Sequence, residues 1–189
     1  MFSPVAQEKA YRLLNHGPVT LISSAANGAR NVMAAAWAMP LDFSPARVAV
    51  VVDKASYTRE LIEASGSFII NIPCARIAKS VLAVGSVSGR ELDKFAHFAI
   101  KTLPAEKLEA PRIAGCVGWL ECMLIREEHT QQAYDLLIGE VVAASADPRV
   151  FRDGHWEFGD DASLATLHYV AGGQFFVTGE SLFVEAQTE

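Results

Sequence analysis

The residues best suited to chemistry in this sequence lie in one stretch of small and polar residues, 30–58. Its first part, 31–37, is rich in alanine and ends in Trp37. Small side chains let a flat ligand lie close to a backbone. Its second part is the apolar run 48–52, which leads into a polar loop that carries Lys54, Ser56, Tyr57 and Thr58. A cation and hydroxyl groups at the end of a strand can hold a negatively charged group such as a phosphate.

The cysteines and histidines give weaker signals. Cys74, Cys116 and Cys122 are odd in number and form no C-x-x-C pair, which favours reduced, buried thiols over disulfides. A redox pair or a metal site built on Cys116 and Cys122 is the alternative interpretation. No His/Asp/Ser or His/Cys/Glu constellation supports a hydrolase or a metal enzyme, and no metal site is predicted.

Bulk composition limits the classes of function. A chain of 189 residues with 51% hydrophobic residues predicts a single domain, 1–189, with a substantial core. A net charge of -6 argues against a nucleic-acid-binding protein, which needs a basic face. No stretch approaches the roughly 18 apolar residues of a membrane helix, and the N-terminal sequence has no secretory signal pattern. We therefore expect a cytoplasmic protein that binds neither nucleic acid nor membrane.

Short strands with turn signals between them dominate the secondary-structure pattern. We expect helices at 3–15, 58–66 and 75–84, with Thr58 at or near the second helix's cap and a helical turn opening at 93–95. Strands are expected at 19–25, 31–39, 47–52, 67–72, 115–126, 134–144 and in the tail 167–177. Residues 127–130 are expected to form a turn, and 151–156 an Asp-Gly hairpin. This pattern predicts a mainly β fold, an antiparallel β-barrel with a few short helices packed outside.

Three separated sequence motifs carry a resemblance to a known family. The first is 31–37 followed by 42–45 (Asp-Phe-Ser-Pro) and the strand 48–52. The second is Tyr57-Thr58 followed by 65–73, and the third is 88–95 (Ser-Gly-Arg-Glu-Leu-Asp-Lys-Phe). In this order and spacing they resemble the flavin reductase-like family, close to its flavoredoxin branch. The resemblance covers most of the chain, from about the first strand to the tail.

The resemblance implies an FMN-binding split barrel that works as a homodimer and holds FMN noncovalently. It implies an NAD(P)H-dependent flavin reductase that transfers hydride from the nicotinamide to N5 of FMN. The alternative is a flavoredoxin-like electron carrier that passes electrons between redox protein partners through tightly bound FMN. A binding protein that has lost its chemistry is a third possibility. The sequence has no Rossmann glycine pattern that would indicate whether NADH or NADPH is the donor.

The resemblance also assigns site residues. The strand along the isoalloxazine ring carries Asn31, Met33, Ala34, Ala35, Ala36 and Trp37. The loop that holds the phosphate carries Lys54, Ser56, Tyr57 and Thr58, and a second wall carries Ser88, Gly89, Arg90 and Lys94. His168, in the tail, is the candidate catalytic residue that contacts the nicotinamide or the flavin.

Each assignment has a plainer alternative. The lysines and Arg90 could be solvated surface charges, Thr58 only a helix cap, Trp37 a core tryptophan, and His168 a surface or core-edge histidine. Many relatives carry hydroxyl residues where this chain has Ala34 and Ala36. Side-chain hydrogen bonds to the ring are therefore not available from these two positions, and the backbone of the strand is expected to replace them.

Overall fold

The computed structural model describes residues 3–184 and is built mainly of β-strands. In chain order the strands are β1 (Thr20–Ala26), β2 (Ala29–Ala35), β3 (Ala38–Phe43), β4 (Ala46–Val51), β5 (Ser67–Ile72), β6 (Thr102–Leu103), β7 (Arg112–Ile113), β8 (Gly118–Ile125), β9 (Leu136–Ala146), β10 (Phe151–Arg152), β11 (His155–Trp156), β12 (Leu167–Ala171) and β13 (Gln174–Val177). The α-helices are α1 (Tyr57–Ser65), α2 (Ala78–Gly85), α3 (Lys94–His97) and α4 (Glu128–Tyr134). Three 3-10 segments are Gln7–Leu13, Ala75–Ile77 and Ala162–Leu164.

The main sheet has seven strands in the spatial order β2-β1-β5-β8-β9-β4-β3, and all neighbours pair antiparallel. Strands β2 and β3 are therefore its two edges, although only Ala36 and Trp37 separate them in the chain. Because so short a connection spans only a few ångströms, the sheet must curve until its edges approach each other. This geometry confirms the predicted antiparallel barrel with short helices.

Helix α1 packs on the barrel and is fixed at both ends. The Ser56 side chain accepts a hydrogen bond from the backbone N–H of Arg59, and Gly66 ends the helix in the left-handed conformation with φ 70°. The Arg59 side chain is buried and donates to the backbone oxygens of Val52 and Gln131. Arg59 thus joins α1 to the ends of β4 and α4.

Three apolar clusters fill the interior, the smallest of them around Val117 and Leu164. The two larger clusters lie next to the elements that form the site. One surrounds Val50, Ile62 and Phe68 inside the barrel, and the other lies beneath α2 around Val32 and Ile113. All three cysteines are buried free thiols, as predicted. Burial, with the nearby Glu121 carboxylate, raises the pKa of the Cys122 thiol to about 12, and burial likewise raises the pKa of Cys116. These thiols are inert core groups.

The structure differs from the sequence-based prediction near the N-terminus and in the second strand. The predicted helix 3–15 is a 3-10 segment that begins at Gln7, and Leu13 and Leu14 are exposed instead of forming a buried face. The predicted single strand 31–39 is split, because the chain leaves one sheet edge after Ala35 and joins the other edge at Ala38. Strand β3 then continues through Pro40 to Phe43, beyond the predicted end of the strand at residue 39.

The prediction of a turn at 127–130 was wrong, and the structure defines the cap of α1 near Thr58. Residues 127–130, predicted as a turn, lead into helix α4, and strand β9 accordingly begins at Leu136. The cap of α1 is Ser56, whereas Thr58 lies inside the first turn with a buried side chain. Within residues 3–184, no helix combines the length and apolar character needed to cross a membrane.

Candidate functional site

Strand β2 is the structural basis of the candidate site because one of its edges pairs with no strand in the described residues. Every residue from Ala29 to Ala35 is paired with β1 on the other edge. A strand edge without a partner strand presents backbone N–H and C=O groups that a ligand can use. Helices α1, α2 and α3 all pack against β2 and form the walls around this edge.

Two adjoining cavities open along β2. The apolar chamber, about 610 Å³, is lined by residues 33–37 and by aromatic side chains from three other segments. The polar chamber, about 460 Å³, is lined by hydroxyl, amide and charged residues. Met33, Ala34, Gly85 and Ser86 line both chambers, which therefore form one continuous groove. Each volume lies within the roughly 300–1,000 Å³ range of small-molecule sites.

The wall of the apolar chamber is aromatic. Trp37 is half exposed, and its indole N–H donates to Asn15 Oδ1 at 2.8 Å. Tyr11 meets the Trp37 ring edge-on, with 6.0 Å between ring centroids. On the hairpin β12–β13, the rings of Tyr169 and Phe175 pack 5.3 Å apart. A flat, apolar ring system can be held between such side chains.

The polar chamber is organised around Asn31 and Thr58. The Asn31 amide donates to Thr58 Oγ1 at 2.9 Å, and both side chains are buried. The Thr58 hydroxyl accepts this bond and donates none to another group in residues 3–184; the residue is fully buried and lines the polar chamber. Gly89 lies so close that a Cβ atom there would stand 2.2 Å from Asn31 Oδ1. The glycine therefore lets the 88–94 segment approach the Asn31 amide.

Lys94 is the buried cation of the polar chamber, with 4% of its surface exposed. Its Nζ donates to the backbone oxygens of Val32 at 3.0 Å and Val84 at 2.7 Å. An ammonium group has three donors, so one remains for a ligand. Burial lowers the pKa of Lys94 to about 8, because the charged form is poorly solvated there.

The structure brings most of the predicted site residues to the groove. Asn31, Met33, Ala34, Ser56, Tyr57, Thr58, Ser88, Gly89 and Lys94 line the polar chamber. Met33, Ala34, Ala35, Ala36 and Trp37 line the apolar chamber. The Ser56 oxygen is already occupied as the cap of α1.

Three predicted residues lie outside both chambers. Lys54 is exposed and donates to the Gln132 backbone oxygen. Arg90 pairs with Glu60 at 2.6 Å. Its guanidinium lies over the ring of Tyr57, and Tyr57 itself lines the polar chamber.

His168 is the third predicted residue that lies outside both chambers. It donates from Nδ1 to the His16 backbone oxygen at 2.9 Å, and its Nε2 lies 3.4 Å from Thr178 Oγ1. Successive strand residues face opposite sides, so its neighbour Tyr169 reaches the apolar chamber and His168 does not.

Sequence reasoning missed several lining residues. Tyr11, Asn15, Tyr169 and Phe175 come from the chain ends, and no local pattern linked them to strand β2. Gly85 was read only as the end of a helix. A Cβ on Gly85 would lie 3.1 Å from the Ala34 Cβ, so α2 can approach β2 only when both residues are small. This close packing gives a structural reason for the alanine at position 34.

Comparison with known proteins identifies the class. The model of the flavin reductase like domain matches residues 12–173, so the chain belongs to the flavin reductase-like family. Solved structures similar to this chain include the FMN-binding domain of a flavin reductases-like enzyme and a flavoredoxin.

Particular relatives cover nearly the whole chain. The FMN-binding domain of a flavin reductases-like enzyme from Shewanella baltica OS155 is 44% identical, with a TM-score of 0.86 and 97% of each chain covered. Flavoredoxin of Desulfovibrio vulgaris (Miyazaki F) is 28% identical, with a TM-score of 0.80 over 97% of this chain and 96% of that chain. The protein YddH of Escherichia coli (strain K12) is 47% identical over 95% of this chain and 96% of its own length.

Proposed function

We propose that the protein binds FMN noncovalently in the groove and works as an NAD(P)H-dependent flavin reductase. The observation that carries the proposal is the continuity of the two chambers along β2. An apolar, aromatic chamber suits the isoalloxazine ring, and the adjoining polar chamber suits the phosphate end. When bound, FMN would supply the redox chemistry by accepting hydride at N5, and the chain would supply binding and orientation.

The residues at the ring end fit this assignment through their backbone. Ala34, Ala35 and Ala36 offer no side-chain hydrogen bonds, but the outer edge of β2 has no partner strand in the described residues. Its N–H and C=O groups can satisfy the polar rim of a flavin, and small side chains let the ring approach them. The hydroxyls of relatives are therefore not essential for binding here.

At the phosphate end the chain offers a buried cation and hydroxyl donors. Lys94 has one donor left after Val32 and Val84 are satisfied, and Thr58 and Ser88 add hydroxyl groups in the same chamber. Charge-assisted hydrogen bonds of this kind are roughly twice as strong as neutral ones. We assign the phosphate to these residues and give Lys54 no direct role. Arg90, held by Glu60, would contribute only at the edge of the chamber.

The nicotinamide would enter beside Trp37, whose ring is half exposed at the wall of the apolar chamber. Tyr169 replaces His168 in this proposal as the tail residue that faces the ring. His168 instead links β12 to the backbone of His16 and so positions the tail hairpin.

Two measurements test the proposal. Titration of FMN with the protein should quench flavin fluorescence, and anaerobic addition of NADH or NADPH to the complex should bleach the flavin absorbance. Trp37→Ala should raise the KM for the nicotinamide nucleotide with less effect on FMN affinity. The matched control is Trp156→Ala, at an exposed tryptophan outside the groove, which should leave both quantities unchanged. No bleaching with either nucleotide would refute the reductase activity but not FMN binding.

The flavoredoxin similarity supports a second candidate function. The chain and the Desulfovibrio flavoredoxin align over almost their full lengths, which favours an electron carrier that passes electrons between redox proteins through tightly bound FMN. FMN that co-purifies at full occupancy, resists dilution and ignores NAD(P)H would support the carrier. FMN that washes out on dilution would support the reductase.

We also propose a homodimer in the cytoplasm. Met39, Leu41 and Phe43 on the edge strand β3 are exposed, Phe43 completely. A second copy could cover this apolar edge. Light scattering should give twice the monomer mass, and Phe43→Asp should shift the protein to the monomer.

A further inference from the structure

A further cavity of about 470 Å³, here called the rear cavity, meets α2 at Ser80 and Val84, whereas the apolar chamber meets the helix at Val81, Leu82 and Gly85. Its inner wall consists of Leu21, Val32, Val84 and Ile113, which belong to the core cluster beneath α2. Its volume falls within the roughly 300–1,000 Å³ range of small-molecule sites. The inner part of the rear cavity is therefore suited to an apolar group.

The remaining lining of the rear cavity is mostly apolar but includes two cations. Arg76 and Lys101 line it together with the hydroxyl residue Ser80, and no acidic residue does so in the described part of the chain. Neither cation has an ion-pair partner within 4.0 Å among residues 3–184. Arg76 interacts electrostatically with the Asp147 and Asp161 carboxylates, which lie outside the lining, so Lys101 is the cation with the least counter-charge. A cation beside an apolar cavity complements an anion that has an apolar body.

The rear cavity is separate from the groove but shares a wall with it. Val84 lines both the rear cavity and the polar chamber. Val32 and Val84 line the rear cavity, and their backbone oxygens accept hydrogen bonds from Lys94 Nζ, which lies on the groove side. Lys94 does not line the rear cavity, so its charge is left for the polar chamber.

We propose that the rear cavity is a second ligand site, for a small apolar monocarboxylate. The hydrocarbon part would lie against Leu21, Val32 and Ile113, and the carboxylate would bind Lys101 and Arg76. A nucleotide or free phosphate fits less well, because the inner wall offers no polar side chain to satisfy it. The proposal does not depend on the function proposed for the groove.

Octanoate is a suitable probe, and calorimetry on the full chain is a suitable measurement. Octanoate is titrated both without FMN and with excess FMN. Binding without FMN tests the rear cavity whether or not FMN binds the groove, and heat that persists when FMN fills the groove reports another site. We expect one octanoate per chain and at least ~10-fold weaker binding of 1-octanol, which lacks the charge. Lys101→Ala should weaken octanoate binding ~10-fold, because it removes one charge-assisted bond. Lys79→Ala, at an exposed lysine of α2 outside the cavity lining, should leave the affinity unchanged.

A second variant tests the location. Ser80→Leu should place extra apolar volume at the cavity and weaken octanoate binding, while circular dichroism confirms that the variant is folded. The proposal is overturned by the absence of octanoate binding at millimolar concentration. It is also overturned if octanoate competes with FMN, or if Lys101→Ala and Ser80→Leu both bind like Lys79→Ala.

Discussion

Lys94 gives the sharpest test of the groove, because its charge should make FMN affinity depend on pH. The free protein's Lys94 has a pKa of about 8. A protonated fraction of about 90% at pH 7 and about 9% at pH 9 follows from that value. The second pKa of a phosphate is about 6, so the ligand's own charge is constant over this range. FMN affinity should therefore fall about 10-fold from pH 7 to pH 9.

The direction of the effect follows from linkage. The anionic phosphate raises the pKa of Lys94 in the complex, so FMN binding takes up a proton above pH 8 and weakens as pH rises. The stability of the free protein depends on pH in the opposite direction. The folded-state pKa lies below the unfolded value of 10.5, so the contribution of Lys94 to stability rises with pH between about 8 and 10.5. Fluorescence titration at several pH values measures the FMN affinity, and thermal unfolding of the free protein at the same pH values measures its stability.

Lys94→Met removes the titrating group. The variant should bind FMN ~10-fold or more weakly at pH 7, because it loses a hydrogen bond from a charged donor. Its affinity should be nearly flat between pH 7 and 9. Lys79→Met, at an exposed lysine of the same region, should keep the wild-type pH profile. A wild-type affinity that does not change from pH 7 to 9, or a slope that persists in Lys94→Met, would refute the assignment of Lys94 to the phosphate.

Two other substitutions test the site and the core. Gly89→Ala should weaken FMN binding ~10-fold, because its Cβ would stand 2.2 Å from Asn31 Oδ1 and displace the amide from the polar chamber. The control is Gly159→Ala, where nothing lies within 4 Å of the new Cβ; this variant should bind FMN like the wild type. Arg112→Met should lower the free energy of unfolding by ~3–5 kcal/mol in urea titration, because it leaves the fully buried Glu121 carboxylate without its ion-pair partner at 2.6 Å. Unchanged stability of Arg112→Met would contradict the view that this buried pair matters.

Sequence patterns predicted the barrel because strand signals are local. The apolar run 47–52 and the Asp153-Gly154 turn depend on neighbouring residues, and both were predicted correctly. The break between β2 and β3 depends on tertiary structure, because the chain leaves one edge of the sheet after β2 and joins the opposite edge as β3. An alanine-rich run carries no signal for that exchange, so residues 31–39 were read as one strand.

The same distinction explains the site. The motif residues Asn31, Thr58 and Lys94 were placed in the groove by resemblance, and the structure shows which atoms each one contacts. Lys54 illustrates the limit of that reasoning. Its position in the loop suggested a phosphate contact, but its side chain turns to the backbone oxygen of Gln132 in α4, a helix that the sequence pattern did not predict. A side chain's direction depends on such tertiary neighbours.

The unpaired edge of β2 has a consequence for the life of the protein without its ligand. Exposed strand edges are templates for pairing with other chains, and proteins commonly block them with charges, prolines or bulges. Residues 33–35 of β2 carry neither a charge nor a proline, and the charged residue of the strand is Arg30 near its start. FMN bound along β2, as proposed, would therefore also cover this edge. Chains without bound flavin would then be more prone to self-association than chains that hold it.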